Sequence, residues 1–86
     1  MPTLTELRTQ ARRMEPHVRI GKNGLTATVV EEVKQQLKKH KLVKVKFLKA
    51  LLETQDKQLL AFQLATKTAA QIIERIGSIV VLYREK

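Results

Sequence analysis

Gly21-Lys22-Asn23-Gly24 is the stretch whose residue types and spacing could do chemistry. Two glycines frame one cation and one amide, directly after a short apolar run and directly before a helical pattern. Glycine permits positive φ and carries no Cβ to hold a ligand away from the backbone. Successive N–H groups in such a turn can form an anion-binding nest. A helix start adds unpaired N–H groups and the positive end of its dipole. Lys22 supplies a mobile cation at the tip, and Asn23 tolerates left-handed geometry while offering an amide donor and acceptor. The chemistry is the grip of an anionic backbone rather than the reading of a base edge. The same four residues also make an ordinary tight turn between a strand and a helix, and G-x-x-G alone is a weak motif.

Other chemistries find less support. The loop lacks the longer G-x-x-x-x-G-K-[ST] spacing of a Walker loop, and no third glycine follows at the offset of a dinucleotide fingerprint. No cofactor and no small-molecule substrate are therefore expected. With no cysteine, disulfides, thiolate zinc sites and cysteine nucleophiles are excluded. His17 and His40 are far apart in sequence with no ligand spacing around them, so no metal is expected. No Ser-His-Asp grouping or carboxylate pair suggests an enzyme.

Charge points to the partner. The 86 residues carry 17 Lys and Arg against 8 Asp and Glu, a net charge of +9. Residues 1–24 hold five basic and two acidic side chains, residues 25–49 seven and two, and residues 50–86 five and four. The excess gathers around the glycine loop, the helix after it and the next strand. A localised basic face is the electrostatic footprint of nucleic-acid binding. Arg19, Lys44 and Lys46 are candidate phosphate contacts if their strand faces are exposed on one side. Arg12, Arg13, Lys34, Lys38, Lys39 and Lys41 are candidates for a wider basic surface, and a merely solvated face accounts for them equally well. The three aromatics are Phe47, Phe62 and Tyr83. Phe47 and Phe62 read as core and Tyr83 as structural at a sheet edge, which leaves no stacking platform and suits a backbone clamp.

The elements that must position the loop follow from periodicity. Leu4, Leu7, Ala11 and Met14 form an apolar stripe on a helix from Thr3 to Met14. Thr3 with Glu6 fits a capping box, and Pro16 ends the segment. His17–Ile20 is a short strand with Val18 and Ile20 on one side. After the loop, Thr26 is the N-cap of a helix to about Lys39, with Leu25 and Val30 as a hydrophobic staple. Leu42–Leu48 alternates, with Val43, Val45 and Phe47 on one face and Lys44 and Lys46 on the other. A connection over Leu51–Gln55 leads to an N-cap at Asp56 and a third helix to about Thr68. Residues 69–77 read either as more helix, with Gly77 closing it, or as a strand turning at Gly77-Ser78. Ser78–Arg84 is a β-branched strand. The predicted fold is α/β: a two-layer sandwich of three helices on a four-stranded mixed sheet, in the order α-β-α-β-α-β-β. Residues 1–86 are expected to form one domain.

The apolar run Ile79–Tyr83 is too short to span a bilayer, and the first residues lack the apolar core of a secretory signal. A soluble, cytoplasmic protein without a membrane partner is expected.

The wording of the motifs is more specific than their physics. Pro16-His17-Val18-Arg19-Ile20-Gly21-Lys22-Asn23-Gly24-Leu25-Thr26 resembles the signature of the CRM domain, named for chloroplast RNA splicing and ribosome maturation. Leu42-Val43-Lys44-Val45-Lys46 is similar to the second strand of that family. Lys67-Thr68, Ile76-Gly77 and Val81-Leu82-Tyr83-Arg84 resemble its C-terminal pattern. The stand-alone YhbY-like form is about this size. The resemblance implies an RNA-binding domain, with Gly21–Gly24 as its G-x-x-G loop. It also implies association with ribosomal precursor particles of the large subunit and a strand near Ile72–Ile76. Ala69-Ala70 departs from the family, where a glycine often sits, and predicts a third helix a residue or two longer than usual. Two rival readings stand beside this one. One is a protein-interaction module docking on an acidic assembly partner. The other is a chaperone or splicing factor for another structured RNA.

Overall fold

In the computed structural model, which describes residues 2–85, three of the helices start at side-chain caps read from the sequence. The chain order is α1 (Leu4–Arg12), β1 (Val18–Ile20), α2 (Ala27–His40), β2 (Leu42–Phe47), α3 (Lys49–Leu52), α4 (Lys57–Thr68), β3 (Gln71–Ile76) and β4 (Ile79–Tyr83). The Thr3 backbone N–H donates to Glu6 Oε1 at 2.8 Å, and the Glu6 N–H returns a bond to Thr3 Oγ1 at 3.1 Å. This reciprocal pair satisfies two donors that a helix start leaves open. Thr26 Oγ1 accepts from the Val29 N–H, and Asp56 Oδ2 from the Leu59 N–H.

The four strands lie in the order β1-β2-β4-β3. β1 and β2 are parallel, joined over the sheet by α2, while β4 runs antiparallel between β2 and β3. Tyr83 is thus on a central strand rather than at an edge, and it is buried against Leu7 and Ala11.

One sheet face carries Val18, Ile20, Val43, Val45, Phe47, Val80 and Leu82, packed under Val33 and Leu37 of α2 and Leu60, Ala61 and Leu64 of α4. This is the expected pair of layers. The opposite face is also partly covered: Leu7 and Ala11 of α1 pack on Leu42, Ile73, Val81 and Tyr83. The clean alternation of β2 therefore serves two cores, and α1 adds a partial third layer.

Among the described residues the helices number four rather than the expected three. The additional one, α3, occupies part of the segment read as a connection. It is four residues long and lacks a side-chain cap; what it contributes is the wholly buried Leu51. Phe62, expected in the core, is 64% exposed, because α4 turns Ala61, Leu64, Ala65 and Thr68 inward and position 62 lies about 100° away. Residues 71–76 form a strand, as the resemblance implied, with a bulge between Ile72 and Glu74. The longer helix expected from Ala69-Ala70 does not form. The Ala70 N–H bonds Ala65 O at 2.9 Å and the Ala69 N–H bonds Thr66 O at 3.3 Å. That pairing ends the helix at Thr68 and forces Ala69 to φ 55, the left-handed position that glycine favours.

Candidate nucleic-acid interface

The glycine loop is a closed turn. The Gly24 N–H bonds Gly21 O at 2.9 Å, and the Thr26 N–H bonds Gly24 O at 3.0 Å. Lys22 and Asn23 are left at the exposed tip. The amides of Lys22, Asn23 and Leu25 take no hydrogen-bond partner among the described residues. Beneath the turn lie Leu48, Leu51 and Gln55, so α3 and its flanks form the floor.

The two glycines differ in what the fold asks of them. Gly24 is buried at φ 74, and a Cβ there would approach Gln55 Nε2 to 3.2 Å. The turn itself requires glycine at this position. Gly21 has no positive φ, and a Cβ there would meet only Leu48 Cδ1 at 3.9 Å, an ordinary contact. Folding does not demand glycine at position 21. The space that a Cβ would take there is otherwise empty.

The candidate cations separate into groups. Arg19 and Lys46 are Cα partners across the β1–β2 pair, both exposed on the same sheet face. Arg19 stands two residues before Gly21 and Lys46 two before Leu48, at the loop end of the sheet. Lys49, on α3 just after Leu48, is an exposed cation at this same end that sequence reasoning missed. Nothing in its spacing marked it, since its place depends on α3 folding beneath the loop.

Lys44 shares that sheet face but has other partners. Its Nζ donates to Ala11 O at 3.1 Å and Met14 O at 2.9 Å. It is a half-buried cation at the C-terminal end of α1, where carbonyls lack helical partners. Arg12 Nη2 is 3.0 Å from Glu74 Oε2, and Arg13 is exposed beside it. Lys34 is half-buried midway along α2. Lys38, Lys39 and Lys41 are exposed at the far end of α2, about 20 Å from the loop by helical rise. There they offset the negative end of the helix dipole.

His17 and His40, distant in sequence, meet with ring centroids 4.9 Å apart. His17 Nδ1 accepts from the Lys44 backbone N–H at 3.1 Å. Burial, and then the neighbouring His40, lower the His17 pKa below its usual value.

This arrangement was compared with known proteins. A family model, the CRS1/YhbY (CRM) domain, matches residues 3–84. The chain belongs to the CRM domain family. A relative from Methanocaldococcus jannaschii, named a probable RNA-binding protein, is 39% identical over 80 residues, covering 93% of this chain and 59% of that protein. A Haemophilus influenzae protein named as RNA-binding is 42% identical over 74 residues, covering 86% of this chain and 73% of its own. The CRM chain thus spans less than two thirds of the archaeal relative it matches. Its fold superposes on the solution structure of a Staphylococcus aureus protein with a TM-score of 0.79 and 31% identity, over 100% of this chain and 91% of that one. Among the described residues, no helix of this CRM chain is long and apolar enough to cross a membrane.

Proposed function

We propose that this CRM chain, acting as one domain over residues 1–86, binds RNA without altering it chemically. Gly21–Gly24 holds the sugar-phosphate backbone, and Arg19, Lys46 and Lys49 neutralise neighbouring phosphates. The observation that carries this reading is the convergence of three features at one end of the sheet. These are a turn with three unpartnered amides, an open glycine at position 21, and the facing Arg19–Lys46 pair. The relatives named as RNA-binding support RNA as the polyanion. Arg13, Lys34, Lys38, Lys39 and Lys41 supply a weaker, longer-range field that steers RNA toward the loop.

The cellular target in this reading is precursor RNA of the large ribosomal subunit, as the CRM resemblance implies, and the two meet in the cytoplasm. Crosslinking in cells, followed by sequencing of the bound RNA, tests the target. Reads concentrated on large-subunit precursor RNA are expected. Reads spread over transfer RNA or intron RNA would overturn the ribosomal assignment. An association with acidic proteins that survives RNase would overturn RNA binding itself.

A further inference from the structure

On the face that carries Arg19 and Lys46, α1 stops short and leaves part of the sheet bare. A cleft of about 210 Å³ opens between the C-terminal part of α1 and the β3–β4 hairpin. Ala11, Ile76, Ile79 and Val81 give it an apolar lining, with Arg12 and Glu74 among its polar groups. Ile76 is 53% exposed and offers its apolar side chain at the mouth of the cleft. The cleft is smaller than the roughly 300–1,000 Å³ that accommodates a drug-sized ligand, and its scale suits a single flat ring system.

The cleft continues the cationic end of the same face. Arg19 pairs with Lys46, Lys46 with Ile79, and Ile79 with Ile76, giving one row across all four strands. Two cations therefore stand beside two exposed or half-exposed isoleucines, with neighbouring strands about 4.8 Å apart. A nucleotide has this same polarity, an anionic phosphate joined to a flat apolar-faced base. Glu74 Oε2 is held by Arg12, which offsets the carboxylate charge near a polyanion, while Glu74 Oε1 takes no hydrogen bond among the described residues. That oxygen is a free acceptor for a base amino group.

We propose that this cleft is a nucleobase subsite. A nucleotide whose phosphate lies on Arg19 and Lys46 lays its base over Ile76 and Ile79. Glu74 Oε1 accepts from its exocyclic amine, favouring cytosine, adenine or guanine over uracil. The subsite rests on the backbone-binding reading above and adds to it a contact with the base, which the glycine loop does not supply.

The test measures fluorescence anisotropy with three single-stranded probes of equal length: oligocytidine, oligouridine and an abasic ribose-phosphate oligomer. The wild type is expected to bind oligocytidine at least about fivefold tighter than the abasic probe, within the range of a single base contact. Ile76→Ser, at an exposed position, should bring oligocytidine down to the abasic level. E74Q should erase the preference for oligocytidine over oligouridine. Lys22→Asp with Asn23→Asp should weaken all three probes, the abasic one included. Unchanged oligocytidine affinity in folded Ile76→Ser would overturn the subsite while leaving the backbone reading intact. The converse pattern, with the loop variant silent and Ile76→Ser weak, would keep the subsite and remove the clamp. Loss of a dimer in Ile76→Ser with RNA affinity unchanged would assign the face to a second copy and overturn the subsite.

Discussion

The backbone of Gly24 lies against the side chain of Gln55, so closely that a Cβ at position 24 would come to 3.2 Å from Gln55 Nε2. Gly21, three residues earlier, meets no such wall. The two glycines of one motif therefore differ: the turn requires Gly24 and does not require Gly21, whose place in the proposed reading is to let RNA approach. Gly24→Ala is expected to destabilise the domain by about 1–2 kcal/mol, the cost of a left-handed L-residue, read as a lower urea midpoint. Gly21→Ala should leave the midpoint within about 0.5 kcal/mol and weaken RNA binding. Equal destabilisation by both would reduce the motif to a turn.

Lys44 and Lys46 alternate along β2 on the same face yet divide their work. The Lys44 ammonium is bonded to two carbonyls at the end of α1, whereas Lys46 is exposed opposite Arg19. Lys44→Met should cost about 1–2 kcal/mol of stability, because two carbonyls lose a charged donor, without changing the salt dependence of RNA binding. Lys46→Met should do the reverse, reducing the salt slope by roughly 0.7–0.9 for one phosphate contact. Parallel titrations of the two variants at several salt concentrations check both halves.

Ala69 holds φ 55 at the end of α4. Glycine there relieves the strain of the left-handed backbone but frees the unfolded chain. The strain is the larger effect for an L-residue, so Ala69→Gly is expected to raise stability by about 0.5–1 kcal/mol. A lower thermal midpoint would contradict this account of the helix end.

The His17 ring accepts a hydrogen bond from the Lys44 N–H and faces His40. Protonation at Nδ1 would set a donor against a donor, and burial, followed by His40, already lowers the pKa. A histidine whose folded pKa is depressed contributes stability that is fully present above its unfolded value near 6.5. That contribution is lost as the pH falls through this value toward the folded pKa, because the unfolded chain binds the proton more readily. The wild-type unfolding midpoint should decline between about pH 7.5 and about pH 5, and His17→Gln should flatten that decline. A wild-type midpoint that stays level would contradict the role given to this bond.

Much of this was legible from residue order. The caps at Thr3, Thr26 and Asp56 are local patterns, each closed within three residues, and β2 announces itself by strict alternation. What escaped depended on contacts far apart in the chain. α3 is too short to show a period and follows from burying Leu51 under the loop. Phe62 is apolar by type yet lies off the inward stripe of α4, and type outweighed angle in reading it as core. The lysine face of β2 read as one basic surface, but the end of α1 descends onto half of it and takes Lys44. The ambiguity at residues 69–77 was settled by the hydrogen bonds closing α4 and by Ile73 entering the second core. Local propensity does not report either of these.

The central claim is that the tip of the glycine loop grips the RNA backbone. The most direct measurement is RNA affinity for the wild type and for Lys22→Asp with Asn23→Asp, alongside their thermal unfolding midpoints. Both side chains are exposed, so the midpoint should move by no more than about 0.5 kcal/mol equivalent. The account predicts binding weakened at least about tenfold, with a shallower salt slope. Unchanged affinity in a variant that folds normally would contradict it.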